Sequence, residues 1–172
     1  MRELILGGAR SGKTRYAERR AQVSGLDVVC IVTAEAHDAE MAERIAHHRA
    51  ARPAHWRTVE SPRALAATLA AEATPTRCLL VDCLTLWLSN LLCAGDEAAL
   101  AAETAALLER VPHLPGRLLL VSNEVGWGIV PAEPLARRFR DEAGRLHQQL
   151  AECVDRATLV VAGLPLALKV PA

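Results

Sequence analysis

The chain has 172 residues, 51% of them hydrophobic and only 3% aromatic, with a formal net charge of zero. That length predicts one domain spanning 1–172 with an aliphatic core. The charge balance argues against a nucleic-acid partner and against a polybasic membrane anchor, and no apolar run reaches the length of a membrane span.

In chain order, Glu3–Leu6 reads as a strand and leads into Gly7-Gly8-Ala9-Arg10-Ser11-Gly12-Lys13-Thr14. A helix is expected from there to about Ser24, closed by Gly25. Gly-x-x-x-x-Gly-Lys-Ser/Thr between a strand and a helix is a phosphate-binding loop. Its glycines let backbone N–H groups turn inward, and the helix N-terminus points its positive dipole end at the same place. Lys13 is expected to reach the terminal phosphates of a nucleoside triphosphate, and the Thr14 hydroxyl to coordinate Mg²⁺.

Asp27–Val32 is a continuous apolar run, the mark of a buried parallel strand. A helix is expected from Asp38 to about Ala51, then a short strand over His55–Val59. Ser61-Pro62 reads as the start of a helix running to about Ala73. Cys78–Val81 is another buried strand, ending in Asp82. Helices follow over Thr85–Leu92 and from Gly95-Asp96 to about Arg110. Leu118–Val121 is a strand, Glu133–Val154 a helix, Ala157–Val161 a strand and Leu166–Lys169 a short edge strand. This alternation predicts an α/β fold, a mostly parallel sheet with helices on both faces. The five cysteines show no C-x-x-C spacing. They read as reduced thiols of a cytoplasmic protein, and the N-terminus has no signal-peptide layout.

Asp82 stands where an open α/β sheet presents ligand groups, and a phosphate-loop enzyme needs a carboxylate there for the Mg²⁺ shell. On the second expected helix, His48 shares a stripe with Met41 and Ile45, while His47 lies one turn beyond Glu43, whose carboxylate can orient its imidazole. A nucleophilic imidazole must be neutral, accessible and held at its other nitrogen, which suits His47 better than His48. Two helical histidines are also ordinary surface or core residues. The stretch from Ser122-Asn123-Glu124 through Gly126 and Gly128 to Pro131 suggests a substrate-facing loop. Arg137, Arg138, Arg140 and Arg145 suit either phosphate binding or a solvated helix face.

These pieces resemble one family throughout the chain. The matching stretches are the loop at 7–14, Asp38 to Arg49 with its His-His pair, Arg52-Pro53-Ala54-His55-Trp56 to Glu60, Asp82 to Leu92, Ser122-Asn123-Glu124-Val125-Gly126 to Pro131, and Arg138-Phe139-Arg140-Asp141. The family is the bifunctional adenosylcobinamide kinase / adenosylcobinamide-phosphate guanylyltransferase of cobalamin biosynthesis. The resemblance implies a recombinase-type phosphate-loop NTPase core, a homotrimer, and two reactions. The first phosphorylates adenosylcobinamide with ATP or GTP. The second transfers GMP from GTP to adenosylcobinamide phosphate through a guanylylated histidine, matched here by His47. It also implies guanine-nucleotide contacts at Gly7 to Thr14, Thr33, Ala34, Glu35, His48, Arg49, Ala50, Ala51, Glu60 and Asp82, with Mg²⁺ on Thr14 and Asp82. Two departures are Thr14, where serine is frequent, and His147, where asparagine is often expected. The rival readings are a phosphate-loop small-molecule kinase without guanylylation and a nucleotide-binding regulatory module.

Overall fold

The structure is a computed structural model that describes residues 1–35, 43 and 52–171. The helix expected over 38–51 lies outside the described residues. The described elements are β1 (Arg2–Gly7), α1 (Lys13–Gln22), β2 (Asp27–Val32), β3 (Arg57–Glu60), α2 (Leu65–Glu72), β4 (Arg77–Asp82), α3 (Leu84–Ala94), α4 (Glu97–Arg110), β5 (Arg117–Asn123), α5 (Pro134–Cys153), β6 (Arg156–Val161) and β7 (Leu164–Lys169). A 3₁₀ turn over Val111–His113 follows α4.

The strands form one seven-stranded sheet in the order β3-β2-β4-β5-β1-β6-β7. Every neighbouring pair is parallel except β6–β7, which is antiparallel. The central strands are nearly pure apolar runs because both their faces are covered. Alternate side chains divide between two cores. Leu4, Ile31, Leu79, Val81, Leu118 and Leu120 face the four helices α2 to α5. Ile5, Cys30, Cys78, Leu80, Leu119 and Val121 face Ala17 and Ala21 of α1. On α5 the buried Ala143, Leu146, His147 and Leu150 recur at helical spacing and form its inward stripe.

A fully buried carboxylate fixes α1 to the sheet. Glu3 on β1 is 0% exposed. It accepts hydrogen bonds from Tyr16 Oη at 3.2 Å, Arg20 Nε at 3.1 Å and Thr158 Oγ1 at 2.9 Å. Tyr16 and Arg20 are one helical turn apart, so a single buried anion is satisfied by one face of α1.

Of the boundaries that differ from expectation, three have local reasons. Helix α2 begins at Leu65, not at Ser61. The Ser61 N–H donates to Val32 O at 2.8 Å and its Oγ pairs with Thr68 Oγ1, so the residue joins a strand end to a helix flank instead of capping. Helix α1 ends at Gln22, and Gly25, with φ +68°, makes the turn beyond it. Strand β7 extends back to Leu164 as the second arm of a hairpin. Asp96 does cap α4, accepting from the Ala99 N–H at 3.0 Å.

Candidate active site

The loop between β1 and α1 takes the form its glycines dictate. Gly12 has φ +95°, and a side chain there would also meet Gly163 Cα at 3.1 Å. A Cβ at Gly7 would stand 2.5 Å from Val160 O. The Gly163 N–H donates to Ser11 O at 2.8 Å, so the β6–β7 turn is docked on the loop. That turn, Ala162-Gly163, has positive φ at both residues, as a two-residue hairpin of type I′ requires. The Glu124 N–H donates to Gly7 O at 3.0 Å and draws the end of β5 to the loop.

Helix α1 starts at Lys13 and aims its N-terminus into a cavity of about 1460 Å³. The described lining includes residues 9–15, Ala34, Glu43, Arg52, Asp82, Asn123 and Glu124. These groups meet because β1, β4 and β5 all end on one edge of the parallel sheet, with β5 lying between the other two. Lys13 is 8% exposed, and its Nζ donates to Gly8 O at 3.0 Å. Burial lowers its pKa, and the nearby Cys83 and Asp82 oppose that shift. Asp82 Oδ2 lies 3.3 Å from Arg52 Nη2.

Of the residues expected at the site, Ala9, Arg10, Ser11, Gly12, Lys13, Thr14, Ala34 and Asp82 line this one cavity. Gly7 and Gly8 form the base of the loop. Thr33 is buried beside it, donating from Oγ1 to Cys83 O at 2.7 Å and accepting from the Cys83 N–H at 3.1 Å. It ties the ends of β2 and β4 together. Glu35 pairs with Arg63 at 3.6 Å, and Glu60 is exposed at the end of β3; neither is in the described lining. His47, His48, Arg49, Ala50 and Ala51 lie outside the described residues. Of the stretch expected to face substrate, Asn123, Glu124 and Val125 line the cavity, while Trp127 and Ile129 beyond them are exposed.

The arginines of α5 do not reach the cavity. Arg137 donates to Pro131 O at 3.0 Å, Arg138 makes a two-pronged pair with Glu97, and Arg145 pairs with Glu142 at 2.7 Å. Among the described residues the arginines that line the cavity are Arg10, Arg15 and Arg52. Arg52 was not singled out from sequence, because its place opposite Asp82 depends on chain folding that no local pattern encodes. His147 is buried behind the β5 end. Its Nε2 lies 2.7 Å from Ser122 Oγ, and its Nδ1 lies 3.9 Å from Glu124 Oε2. Burial lowers its pKa, with Glu124 opposing.

A divalent cation fits this chemistry in a particular way. Thr14 and Asp82 offer a hydroxyl and a carboxylate in one cavity. Among the described residues no group of three or more His, Cys, Asp or Glu side chains forms a metal cage. Magnesium is commonly held by one or two protein oxygens plus water and substrate phosphates, so the donor set suits an ion that arrives with a nucleotide.

Comparison with known proteins gives a consistent result. Residues 3–168 match the family model described as cobinamide kinase / cobinamide phosphate guanyltransferase. A Pseudomonas aeruginosa protein named bifunctional adenosylcobalamin biosynthesis protein CobP is 63% identical over 169 residues, covering 98% of each chain. The Escherichia coli protein named bifunctional adenosylcobalamin biosynthesis protein CobU is 43% identical over 179 residues, covering 96% of this chain and 98% of its own. The Salmonella typhimurium protein of the same name is 42% identical with the same coverage. The chain belongs to the cobinamide kinase / cobinamide phosphate guanyltransferase family.

Proposed function

We propose that this cytoplasmic enzyme phosphorylates adenosylcobinamide with ATP or GTP, then transfers GMP from GTP to the resulting phosphate, releasing pyrophosphate. The observation that carries this reading is the cavity that gathers the phosphate loop, Lys13 and Asp82 at the ends of parallel strands in a chain of this family. Thr14 and Asp82 would hold Mg²⁺, which supplies charge neutralisation on the triphosphate. The loop N–H groups and Lys13 position the phosphates. Lys13 leaves the Gly8 carbonyl to do so, an exchange of a neutral acceptor for a charged one.

The second reaction moves the attack to the α-phosphorus. Cobinamide phosphate is an anion and would approach the triphosphate against like charge. The neutral imidazole of His47 attacks without that repulsion: a P–N bond forms, the bond to pyrophosphate breaks, and cobinamide phosphate then displaces the histidine. His48, Arg49, Ala50, Ala51, Thr33, Ala34, Glu35 and Glu60 are assigned to the guanine nucleotide on the same reading.

The test is incubation with Mg²⁺ and GTP labelled at the α-phosphate, followed by denaturation. Label on the wild type that is lost in acid, stable in base and absent in His47→Ala is the expected result. No label in a protein that binds GTP would leave a kinase without guanylylation.

A homotrimer is part of the proposal. Its support is β7, an edge strand whose Leu164, Leu166 and Leu168 are all more than half exposed. Such an edge is a site for association. Light scattering is expected to give three chains for the wild type and fewer for Leu166→Lys/Leu168→Lys.

A further inference from the structure

One cation of the described cavity, Arg52, has another charged side chain of the site as its partner. Arg52 has 7% of its side-chain surface exposed and lines the cavity. One of its nitrogens, Nη2, faces Asp82 Oδ2 at 3.3 Å. Its Nε is buried and has no hydrogen-bond partner. An orphaned buried donor on a charged group is costly, and water or a ligand can supply its acceptor; of the arginines with an unpartnered buried Nε, which also include Arg2, Arg117 and Arg156, Arg52 is the one that lines the cavity. A planar guanidinium matches phosphate oxygens two at a time.

Lys13 is in a corresponding state. Its ammonium is turned back on Gly8 O, an acceptor within the loop itself. Lys13 and Arg52 therefore both rest on protein acceptors, one on a backbone carbonyl and one on the carboxylate assigned above to the metal. A triphosphate offers each of them a stronger partner.

We propose that Arg52 is a triphosphate-binding residue of this site, held against Asp82 until the nucleotide's phosphate oxygens take the carboxylate's place. The inference rests on the nucleotide-site reading above. It assigns Arg52 to the β- and γ-phosphates, where it spreads negative charge during phosphoryl transfer and on the pyrophosphate that leaves during guanylyl transfer. In Asp82 it also gives the arginine and the cation a common partner, so nucleotide entry exchanges one pairing for two.

The test is calorimetric titration of the full chain, carrying His47→Ala throughout so that no covalent adduct forms, with GTP and, separately, with GMP, at fixed Mg²⁺ and ionic strength. This parent and its Arg52→Gln, Arg52→Lys and Lys13→Met variants are compared, and thermal melts establish that each is folded. Arg52→Gln is expected to raise the Kd for GTP about tenfold to a hundredfold, the range of a lost charge-assisted contact. Its Kd for GMP should change less than about twofold. Arg52→Lys, which keeps the charge without the fork, should fall between, and it decides the matter if the glutamine variant does not fold. The parent's Kd for GTP in Arg52→Gln, with binding lost in Lys13→Met, would overturn the role of Arg52 and leave the nucleotide site standing. Equal losses for GTP and GMP would overturn it too, because they mark a general defect of the cavity. A parent that binds neither nucleotide would remove the site reading and this inference together.

Discussion

The two faces of the sheet are built differently. One is closed by α2 to α5 over a largely aliphatic core that includes Trp87 and twenty-five other buried apolar residues among those described. The other meets α1, the one described helix on that side, through a smaller core that contains Cys30, Cys78 and Cys83. On the thick face polar contacts bind elements at the margins: Trp87 Nε1 donates to Arg63 O at 2.7 Å, and Asn90 Nδ2 to Thr33 O at 2.7 Å. On the thin face a polar contact sits in the middle, where Glu3 gathers Tyr16, Arg20 and Thr158. Packing is non-directional and fixes that helices lie against the sheet; charge-assisted hydrogen bonds fix where a helix end points. The thin face carries the helix whose N-terminus opens into the proposed phosphate site, and there direction matters most.

Substitutions on the two faces should therefore separate stability from binding. Trp87→Ala removes a fully buried indole and is expected to cost about 4 kcal/mol in urea unfolding. The folded fraction should keep the wild-type Kd for GTP. A collapse of binding would show that the thick face positions the loop after all. Glu3→Ala is expected to cost less, about 3 kcal/mol, because Arg20 is partly exposed and can regain water when its partner goes. Here GTP binding should weaken as well, by more than any loss of folded protein explains. Unchanged affinity in a folded Glu3→Ala protein would mean that α1 holds its orientation by packing alone.

How much of this was legible in the sequence follows the same division. Strands of the thick core appear as apolar runs, and their α/β alternation gave the architecture. The phosphate loop and Asp82 were legible because spacing and position at a strand end are local properties. Glu3 was not: an acidic residue opening an apolar run looks like a solvent-side strand start, and its partners come from α1 and from β6, more than 150 residues away. Arg52 and the Ala162-Gly163 turn were missed for the same reason. The Ala162-Gly163 pair between Val161 and Leu164 was the available hairpin signal, weakened because alanine seldom takes positive φ. The arginines of α5 had two open readings, phosphate binding or a solvated helix face, and the fold decides for the second by pairing them with Glu97, Glu142 and the carbonyls of the preceding loop.

A smaller effect tests whether the thick face has a directional contact of its own. His147 on α5 bonds Ser122, and Glu124 is the acidic group near its other nitrogen. Burial holds its pKa below the ordinary 6.5. Between the lowered value and 6.5 the unfolded chain takes up a proton that the folded chain refuses. Stability from the neutral imidazole is therefore full above about pH 6.5 and falls as the pH drops. The loss at pH 5.5 is at most about 1.4 kcal/mol, the worth of one proton over one pH unit. Urea unfolding at pH 7.5 and 5.5 should show a steeper acid loss in the wild type than in His147→Gln, which keeps a nitrogen in reach of Ser122. Equal slopes would mean that the imidazole is protonated in the folded protein and paired with Glu124.

The least perturbing measurement probes the thin face without any substitution. Cys30 and Cys78 lie in its core, where burial pushes the thiols up to about 12 and about 11. Cys83 is raised in the same way. At pH 8 these groups are almost wholly thiols, and the thiolate is the species that reacts with a disulfide reagent. Cys93 is exposed at the end of α3 and Cys153 is partly exposed at the end of α5. The native protein is expected to release one equivalent rapidly from Cys93 and a second more slowly from Cys153. The remaining three should react only after denaturation. Rapid reaction of all five in the native protein would mean that α1 lifts from the sheet on the timescale of the assay. Glu3 would then hold the helix only as one of several positions. Addition of GTP would separate the cases further, since a ligand at the α1 N-terminus closes a mobile helix and leaves a fixed one as it was.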